Sequence, residues 1–457
     1  MKRKLSQNQK KIRWGIAYFL AAIAAITLPD IAPQKPVQAA ESHLEPPVML
    51  ASQAGLSEAI MQMEQDWGSE YEEFFGTEFV DLAMQADEMA RSLTQLGEET
   101  GTRPAIVWFL AREDCLNIAI STPGKMPISV NVMTTDRQLL EKTIREFRRE
   151  VLNPRKHDSN HYKALGKQLY DWAIAPIEEI LKAEGIDTII ISAGPGLRTF
   201  PYAALYDGER FLIEKYSLTK TPAFYLANRE YRPLNEARIL AMGASQFSDL
   251  APLPGAEIEL NTITKRLWEG ETFLNETFTL KNLQDRRKNY PFEIVHFATH
   301  AKFQPGKPNN SFIQLFDEKL TLDRLDRLRL NHPPVELLVL SACQTALGDR
   351  DAELGFAGLA VQLGVKSVLA SFWQVSDVGS VGLMSEFYQQ LKETSTKAEA
   401  LRQAQIAMIR GEVRLEDGEL LNSATRVAVP SSIAMAGTAD FSHPYHWAAY
   451  SLVGSPW

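Results

Sequence analysis

Two apolar runs of the chain lead into a histidine and a cysteine, side chains that together can form a nucleophilic pair. Residues 295–301 read VHFATHA and contain His300, and residues 337–348 read LLVLSACQTALG and contain Cys343. Such β-branched runs predict buried parallel strands, and in an open α/β sheet reactive groups gather beyond the carboxyl ends of the strands. We therefore predict that each run ends at its reactive side chain and that His300 and Cys343 meet over one cleft.

The pair would have the chemistry of a cysteine nucleophile. A thiol of ordinary pKa is mostly protonated near neutrality, and a neighbouring imidazole can accept its proton. Cys343 is then the nucleophile, and His300 is the base and later the acid that protonates the leaving amine. The backbone amides of Cys343 and of Ala301, the residue after the histidine, are the predicted donors to the oxyanion.

Each of these residues also has a structural interpretation. A single buried cysteine is often an inert small hydrophobe, and a histidine at a strand end is often only a hydrogen-bonded core residue. His296 lies four residues before His300, on the same face of a strand. The two histidines and Cys343 could therefore imitate a zinc site, although no fourth ligand is close in sequence. We expect His296 to be a buried scaffold residue.

Longer motifs run through the C-terminal two thirds of the chain. They are SAGPGLRTFPYAALYDGERFLIEKY, GASQFSDLAPLPGAEIEL, VHFATH, LSACQTALG, GFAGLAVQLGVKSVLASFWQVSD, EALRQAQIAM and HPYHWAAYSLVGSPW. In order and content they resemble the CHAT domain, a bacterial branch of the caspase- and separase-like cysteine peptidases, over about residues 160–457. The resemblance implies a catalytic dyad of His300 and Cys343, a protein or peptide substrate, and no metal or organic cofactor.

The chain departs from the family at two points. The family usually has glycine after the catalytic histidine, where this chain has Ala301. The alanine keeps the amide, but its Cβ restricts the backbone. The tetratricopeptide repeats that many members carry are absent from the sequence pattern. A non-catalytic CHAT-fold module that binds a peptide is therefore the rival to an endopeptidase.

An acidic residue that follows the next predicted strand is the candidate for substrate recognition. Separase-like enzymes place an acidic residue of this segment in the pocket for a basic substrate side chain. The resemblance therefore implies that Asp377 binds substrate and that cleavage follows basic residues. An aspartate just before a helical run also makes a good N-cap. Asp349, Asp351 and Glu353, shortly after the cysteine, are weaker candidates for the same role.

The composition is that of a globular protein. Charge and local sequence also argue against general nucleic-acid binding and against a nucleotide site. The chain has 457 residues, of which 45% are hydrophobic and 23% charged, and its net charge is −9. With no basic surplus to neutralise phosphates, a general nucleic-acid binder is disfavoured. The Gly194-Pro195-Gly196 segment lacks the third glycine and the following helix of a dinucleotide loop, so we expect no nucleotide site there.

The N-terminus predicts export. Basic residues at 2–13, an apolar run at 14–28 and the small-residue site Val37-Gln38-Ala39 predict a signal peptide at 1–39, and a linker follows at 40–55. The mature protein is then extracytoplasmic, either secreted or periplasmic. An uncleaved anchor is the alternative, although the apolar run is short for a membrane span. Membrane contact is expected only if the segment is retained.

The chain has two cysteines, so an exported protein could close a disulfide between Cys115 and Cys343. Cys115 lies in the run at 106–120, which predicts a β-hairpin. We therefore expect it to be a half-buried strand residue in a different part of the chain, with no disulfide to Cys343.

Hydrophobic periodicity divides the mature chain into two regions. We predict an N-terminal helical region with a β-hairpin at 56–155 and a caspase-like domain at 156–457. The domain is expected to be α/β, with a mostly parallel six-stranded sheet and helices on both faces. Residues 413–442 predict a long surface excursion. The predicted strands are 188–192, 238–242, 293–298, 336–340, 367–371 and 447–453.

Overall fold

The structure is a computed structural model and describes residues 53–79, 84–153, 160–345, 347–423, 425–430 and 439–457. The predicted signal peptide at 1–39 and most of the predicted linker at 40–55 lie outside the described residues. Within the described ranges, no helix combines the length and apolarity needed to cross a bilayer.

Helices and strands alternate along most of the chain. The helices are α1 Gln53–Phe75, α2 Ala86–Thr100, α3 Arg137–Val151, α4 His161–Ala173, α5 Ala175–Ala183, α6 Gly255–Thr262, α7 Leu280–Asn289, α8 Arg350–Ala357, α9 Leu359–Leu363, α10 Asp377–Glu393, α11 Lys397–Ile409 and α12 Pro444–Trp447. The strands are β1 Pro104–Ala111, β2 Leu116–Ser121, β3 Ile128–Val132, β4 Thr188–Ala193, β5 Ser217–Thr221, β6 Ile239–Gly243, β7 Gly270–Leu274, β8 Ile294–Phe303, β9 Phe312–Gln314, β10 Lys319–Thr321, β11 Leu337–Thr345, β12 Ser367–Ser371, β13 Arg414–Glu416, β14 Glu419–Leu421, β15 Arg426–Ala428, β16 Ala439–Asp440 and β17 Tyr450–Gly454.

One large sheet organises the described chain. It has thirteen strands in the order β10-β9-β8-β11-β12-β17-β5-β4-β1-β2-β3, and β6 and β7 extend from β8. Most neighbouring pairs are parallel, including β8 with β11, β11 with β12 and β6 with β8. The predicted α/β class with a mostly parallel sheet is confirmed. All six predicted strands belong to this sheet, which is larger than expected.

The sheet is wide because the N-terminal hairpin joins it. The hairpin was predicted correctly, and its first strand, β1, also pairs in parallel with β4. The sheet is therefore continuous across the predicted boundary at residue 156. The hydrophobic pattern of a segment indicates that it forms a strand. It does not indicate which strand about eighty residues away will pair with it.

Apolar cores cover both faces of the sheet. Along β1, Val107 and Phe109 belong to one buried cluster, and Ile106 and Trp108 belong to another. This alternation follows from the pleat, which turns successive side chains to opposite faces. Helices α1 and α2 supply apolar residues such as Trp67 to the second cluster.

The prediction of a surface excursion at 413–442 is wrong for the described part of that segment. A second sheet of four short strands forms there, in the order β15-β14-β13-β16. Val413, Leu415 and Leu420 are buried in it. Strands of two or three residues are too short to produce a detectable period of two, so the pattern did not indicate them.

Candidate active site

The two predicted catalytic residues lie on the adjacent strands β8 and β11. In the parallel register, Ala342 is opposite His300 and Cys343 is opposite Ala301. Neighbouring strands are separated by about 4.8 Å and one residue step by about 3.3 Å, so backbones offset by one position lie about 6 Å apart. The expected proximity of His300 and Cys343 along the backbone is therefore present.

The expectation that each strand ends at its reactive residue is wrong. β8 continues to Phe303 and β11 continues to Thr345. The physical reason is that further backbone partners are available. β9 pairs with Ala301 and Lys302, and the amide of Thr345 donates to the carbonyl of Phe372 at 3.0 Å.

A register shift interrupts the β8–β11 ladder just before the site. It falls between Leu340 and Ala342, where β8 contributes one residue more than β11. In a regular parallel ladder, residues offset by one position point to opposite faces of the sheet. Both residues lie beyond the shift, where the pairing from Ala342 to Thr345 is regular again, so a pair formed by His300 and Cys343 requires a further departure from the pleat at the site itself.

His300 is held by one hydrogen bond and one aromatic contact. His300 is 8% exposed, and its Nε2 lies 2.7 Å from the carbonyl oxygen of Ala251. A carbonyl can only accept, so Nε2 carries the proton and Nδ1 has the lone pair of a base. The ring of Phe247 packs edge-on against the imidazole, with centroids 4.9 Å apart.

Several groups act on the pKa of His300. Burial lowers this pKa and is the largest cause, and the nearby positive charge of Lys302 lowers it further. The hydrogen bond to Ala251 and the carboxylate of Asp377 act in the opposite direction. The net effect is a pKa below the ordinary value. The imidazole therefore stays neutral, as a base must be, to a lower pH than an exposed histidine.

Asp377 is the first residue of α10 and is not its N-cap. The cap is Ser376, whose hydroxyl accepts from the amide of Gly379 at 3.2 Å. Asp377 Oδ2 instead accepts from the amide of Gly255, the first residue of α6, at 3.2 Å. The alternative that Asp377 caps its own helix is therefore wrong, because the preceding serine already fills that position.

The Asp377 carboxyl lines a small cavity close to His300. Burial raises the pKa of Asp377, and His300 acts to lower it. The cavity measures about 20 Å³ and is also lined by Ala298 of β8 and Ser341 of β11. A space of this size holds a water molecule but not a guanidinium group. A basic side chain would enter only if α6 and α10 moved apart.

The three weaker acidic candidates all have structural partners. Asp349 caps α8 and accepts from the amides of Asp351 and Ala352. Asp351 accepts from the amide of Gly306 at 3.0 Å. These carboxylates hold the segment that follows Cys343 in place.

Glu353 has the most buried of these carboxylates, with no exposed surface. It accepts from the amide of Gly196 and from Thr199 Oγ1, each at 2.8 Å, and it pairs with Arg148 at 3.8 Å. The Gly194-Pro195-Gly196 turn thus directs an amide at a carboxylate, where a dinucleotide loop would present its amides to a phosphate.

His296 lies beneath the site and is fully buried. Its Nε2 is 2.7 Å from Glu259 Oε1, and its Nδ1 is 3.1 Å from the hydroxyl of Tyr388. Both ring nitrogens have protein partners, which is the arrangement of a scaffold histidine. In the described part of the chain, no three His, Cys, Asp or Glu side chains form a group that could hold a metal ion.

Cys115 is a free thiol that lies in the hairpin turn, directly before β2. It is 2% exposed, so the expectation of a half-buried strand residue is wrong in both respects. Burial raises the pKa of this thiol to about 11, which makes it unreactive near neutrality.

One contributor to the site had no sequence signal. Ala251 acts through its backbone carbonyl, and any residue type would provide the same acceptor. Its position near His300 depends on the loop between β6 and α6, which local pattern does not determine.

Comparison with known proteins agrees with the fold. The family model described as "CHAT domain" matches residues 163–455. No curated protein is significantly similar to the chain. Among solved structures, the Saccharomyces cerevisiae separase in its complex with securin aligns with a TM-score of 0.51 and 9% identity, over 88% of this chain and 34% of that one.

A second similar structure is the Arg-specific cysteine proteinase gingipain R, with a TM-score of 0.38 and 10% identity, over 63% of this chain and 68% of that one. This chain spans about a third of the separase chain, so the alignment to separase concerns fold and not the whole protein. The family model covers well over half of the residues. The chain therefore belongs to the CHAT domain family and has the α/β fold that it shares with separase.

Proposed function

We propose that this chain is a caspase-like cysteine endopeptidase in which His300 is the base and Cys343 the nucleophile. The observation that carries the proposal is the β8–β11 register, in which Cys343 is one position from a histidine whose Nε2 is bonded to a carbonyl. Membership of the CHAT domain family adds support. The substrate is a protein or peptide, and the chain itself supplies each catalytic group.

The reaction follows from these groups. His300 Nδ1 accepts the thiol proton of Cys343, and the thiolate attacks the carbonyl carbon of the scissile peptide bond. The negative charge moves to the carbonyl oxygen, for which the amides of Ala301 and Cys343 are the proposed donors. The C–N bond breaks as the imidazolium donates its proton to the leaving amine. Water, deprotonated by His300, then hydrolyses the thioester and restores the thiol.

The amide of Ala301 can serve the oxyanion only if its N–H is free of the ladders to β9 and β11 when substrate binds. Ala301 is fully buried, and its φ is not in the left-handed region that favours glycine. Its Cβ therefore causes no backbone strain at this position. This removes one objection to an alanine at the place where the family usually has glycine.

We further propose that Asp377 binds a basic side chain next to the scissile bond. Its support is the proximity of the carboxyl to His300, through which each group shifts the pKa of the other. The small volume of the cavity counts against this role of Asp377, because a basic side chain would enter only if α6 and α10 moved apart. Export through residues 1–39 is part of the proposal and depends on the basic and apolar pattern of that segment.

The first prediction tests the catalytic pair. Cys343→Ala and His300→Ala should each abolish cleavage of a responsive peptide, and the double variant should be no worse, because the two residues act as one unit. The activities would be compared with that of Cys115→Ala, which removes the thiol of a buried cysteine in the hairpin turn. Cleavage by Cys343→Ala at the wild-type rate would exclude the mechanism and favour the binding module.

The second prediction concerns the protonation of His300. In the Cys343→Ala protein, which removes any effect of a thiolate, the imidazole should titrate below the ordinary value of about 6.5 because burial disfavours its charged form. Adding Asp377→Asn should lower the midpoint further, since the carboxylate stabilises the imidazolium. NMR titration of the His300 ring measures both. A midpoint at or above the ordinary value would contradict the buried, neutral base.

The third prediction concerns specificity. Asp377→Asn keeps an acceptor for the amide of Gly255 and removes the charge. For substrates with Arg before the scissile bond, it should lower kcat/KM by an amount equivalent to about 2 to 4 kcal/mol of transition-state stabilisation. This is the cost of truncating one partner of a hydrogen-bonded charge pair. Profiling wild type and variant on a peptide library tests this. An unchanged preference would leave Asp377 with only its structural role at α6.

The fourth prediction concerns location. If the N-terminal segment is an export signal, the mature protein should begin near Ala40 and be recovered outside the cytoplasm. N-terminal sequencing of the protein purified from cell fractions provides the measurement. Cytoplasmic protein with an intact Met1 would exclude export.

A further inference from the structure

A second, much larger depression is lined by Phe247, whose ring packs against His300. We call it the acidic cleft. It has a volume of about 810 Å³ and lies over the carboxyl ends of β6 and β7, beside the turn between β9 and β10. Its charged lining residues are Asp249, Glu276, Asp317, Glu318 and Lys319.

The charges of the acidic cleft are only partly balanced by the protein. Glu318 is held by Arg327 through two bonds of 2.6 and 3.1 Å, and Lys319 lies 3.8 Å from Asp249. No hydrogen bond or ion pair from the described residues reaches the side chains of Glu276 or Asp317, and both are exposed. Two carboxylates therefore face the cleft without a cation.

An unsatisfied acceptor lies in the same cleft. Gln314 is 9% exposed, and its amide nitrogen donates to the carbonyls of Leu315 at 2.5 Å and Glu318 at 3.4 Å. These two acceptors fix the orientation of the amide group. Gln314 Oε1 is buried and has no donor in the structure. Buried side-chain acceptors usually have a partner, so a ligand that brings N–H groups would satisfy this atom once the Gln314 side chain turns towards the cleft.

The acidic cleft is connected to the candidate active site by one residue. Phe247 lines the cleft, and its ring packs against the ring of His300 with centroids 4.9 Å apart. A peptide that crosses His300 would therefore reach the cleft with the residues next to its scissile bond. The cleft and the Asp377 cavity differ about fortyfold in volume, so the cleft can take several side chains where the cavity holds a water.

We propose that the acidic cleft binds a basic segment of the polypeptide substrate, containing Arg or Lys and flanking the scissile bond. The inference rests on the proposed peptidase function and adds a second recognition site to it. Guanidinium groups provide several N–H donors in a planar fork, which suits carboxylates and an orphan amide oxygen together. The uncompensated negative charge also attracts cationic segments from a distance and repels acidic ones.

The test uses the full chain with Cys343→Ala, so that binding is read without turnover. Two labelled peptides share one Arg at the scissile position and differ in the flanking residues, which are Arg and Lys in one and Gln in the other. The basic peptide should bind about 3- to 10-fold more tightly, the range expected for a few partly exposed charge pairs. The difference should shrink at high salt because the cleft is open to solvent.

Matched variants locate the effect. Glu276→Gln with Asp317→Asn should remove most of the difference between the two peptides. Glu88→Gln with Glu98→Gln removes the same charge from exposed positions on α2 and should leave the difference intact. If the two peptides bind equally well to the Cys343→Ala protein without any substitution in the cleft, the proposal is overturned. An equal loss in both double variants would overturn it as well, because the effect would then come from net charge alone.

Cleavage by the protein with Cys343 separates this inference from the proposed function. A peptide series that moves the basic residues from one side of the scissile bond to the other should show faster cleavage on one side only. If the cleavage rate does not depend on the flanking charge, the acidic cleft is not a subsite, but the proposed peptidase function is retained. If binding depends on charge but no peptide is cleaved, the peptidase function is rejected and the acidic cleft is retained as a binding site for basic peptides.

Discussion

The parallel pairing of β8 with β11 is the constraint on which the candidate site depends. It determines which residue of one strand lies beside which residue of the other, and its shift between Leu340 and Ala342 sets Cys343 opposite Ala301. Both strands are buried on both faces, so a slip of register would move each side chain to the opposite face and disrupt the packing of the core. The relative position of His300 and Cys343, the proposed catalytic pair, is therefore determined by the packing of the core.

A buried carboxylate stabilises the segment that follows the cysteine. Glu353 is fully buried, accepts from Gly196 and Thr199, and faces Arg148. Loss of one partner from such a group leaves an uncompensated charge and costs about 3 to 5 kcal/mol. This network links the loop after β4 to α8, so the region next to Cys343 is supported from the N-terminal half of the sheet as well.

The sequence allowed the strands that carry His300 and Cys343 to be predicted, because long β-branched runs have few alternatives to a buried strand. It did not allow prediction of contacts that depend on backbone path. The order of residue types does not indicate three such features, which are the position of the Ala251 carbonyl, the pairing of β1 with β4 and the short strands after Val413. The capping of α10 was missed by one residue, since Ser376 and Asp377 are equally suited to an N-cap.

The proposed site has two electrostatic requirements, which are to keep His300 neutral and to attract a basic substrate. The same negative charges could not meet both. A base must stay neutral, and negative charge beside an imidazole favours its protonated form. The charges that act on the pKa of His300 come from Lys302 and Asp377, whereas the carboxylates of the acidic cleft are separated from it by the ring of Phe247. In the proposed enzyme, negative charge would therefore attract a basic substrate at the cleft while burial keeps His300 unprotonated.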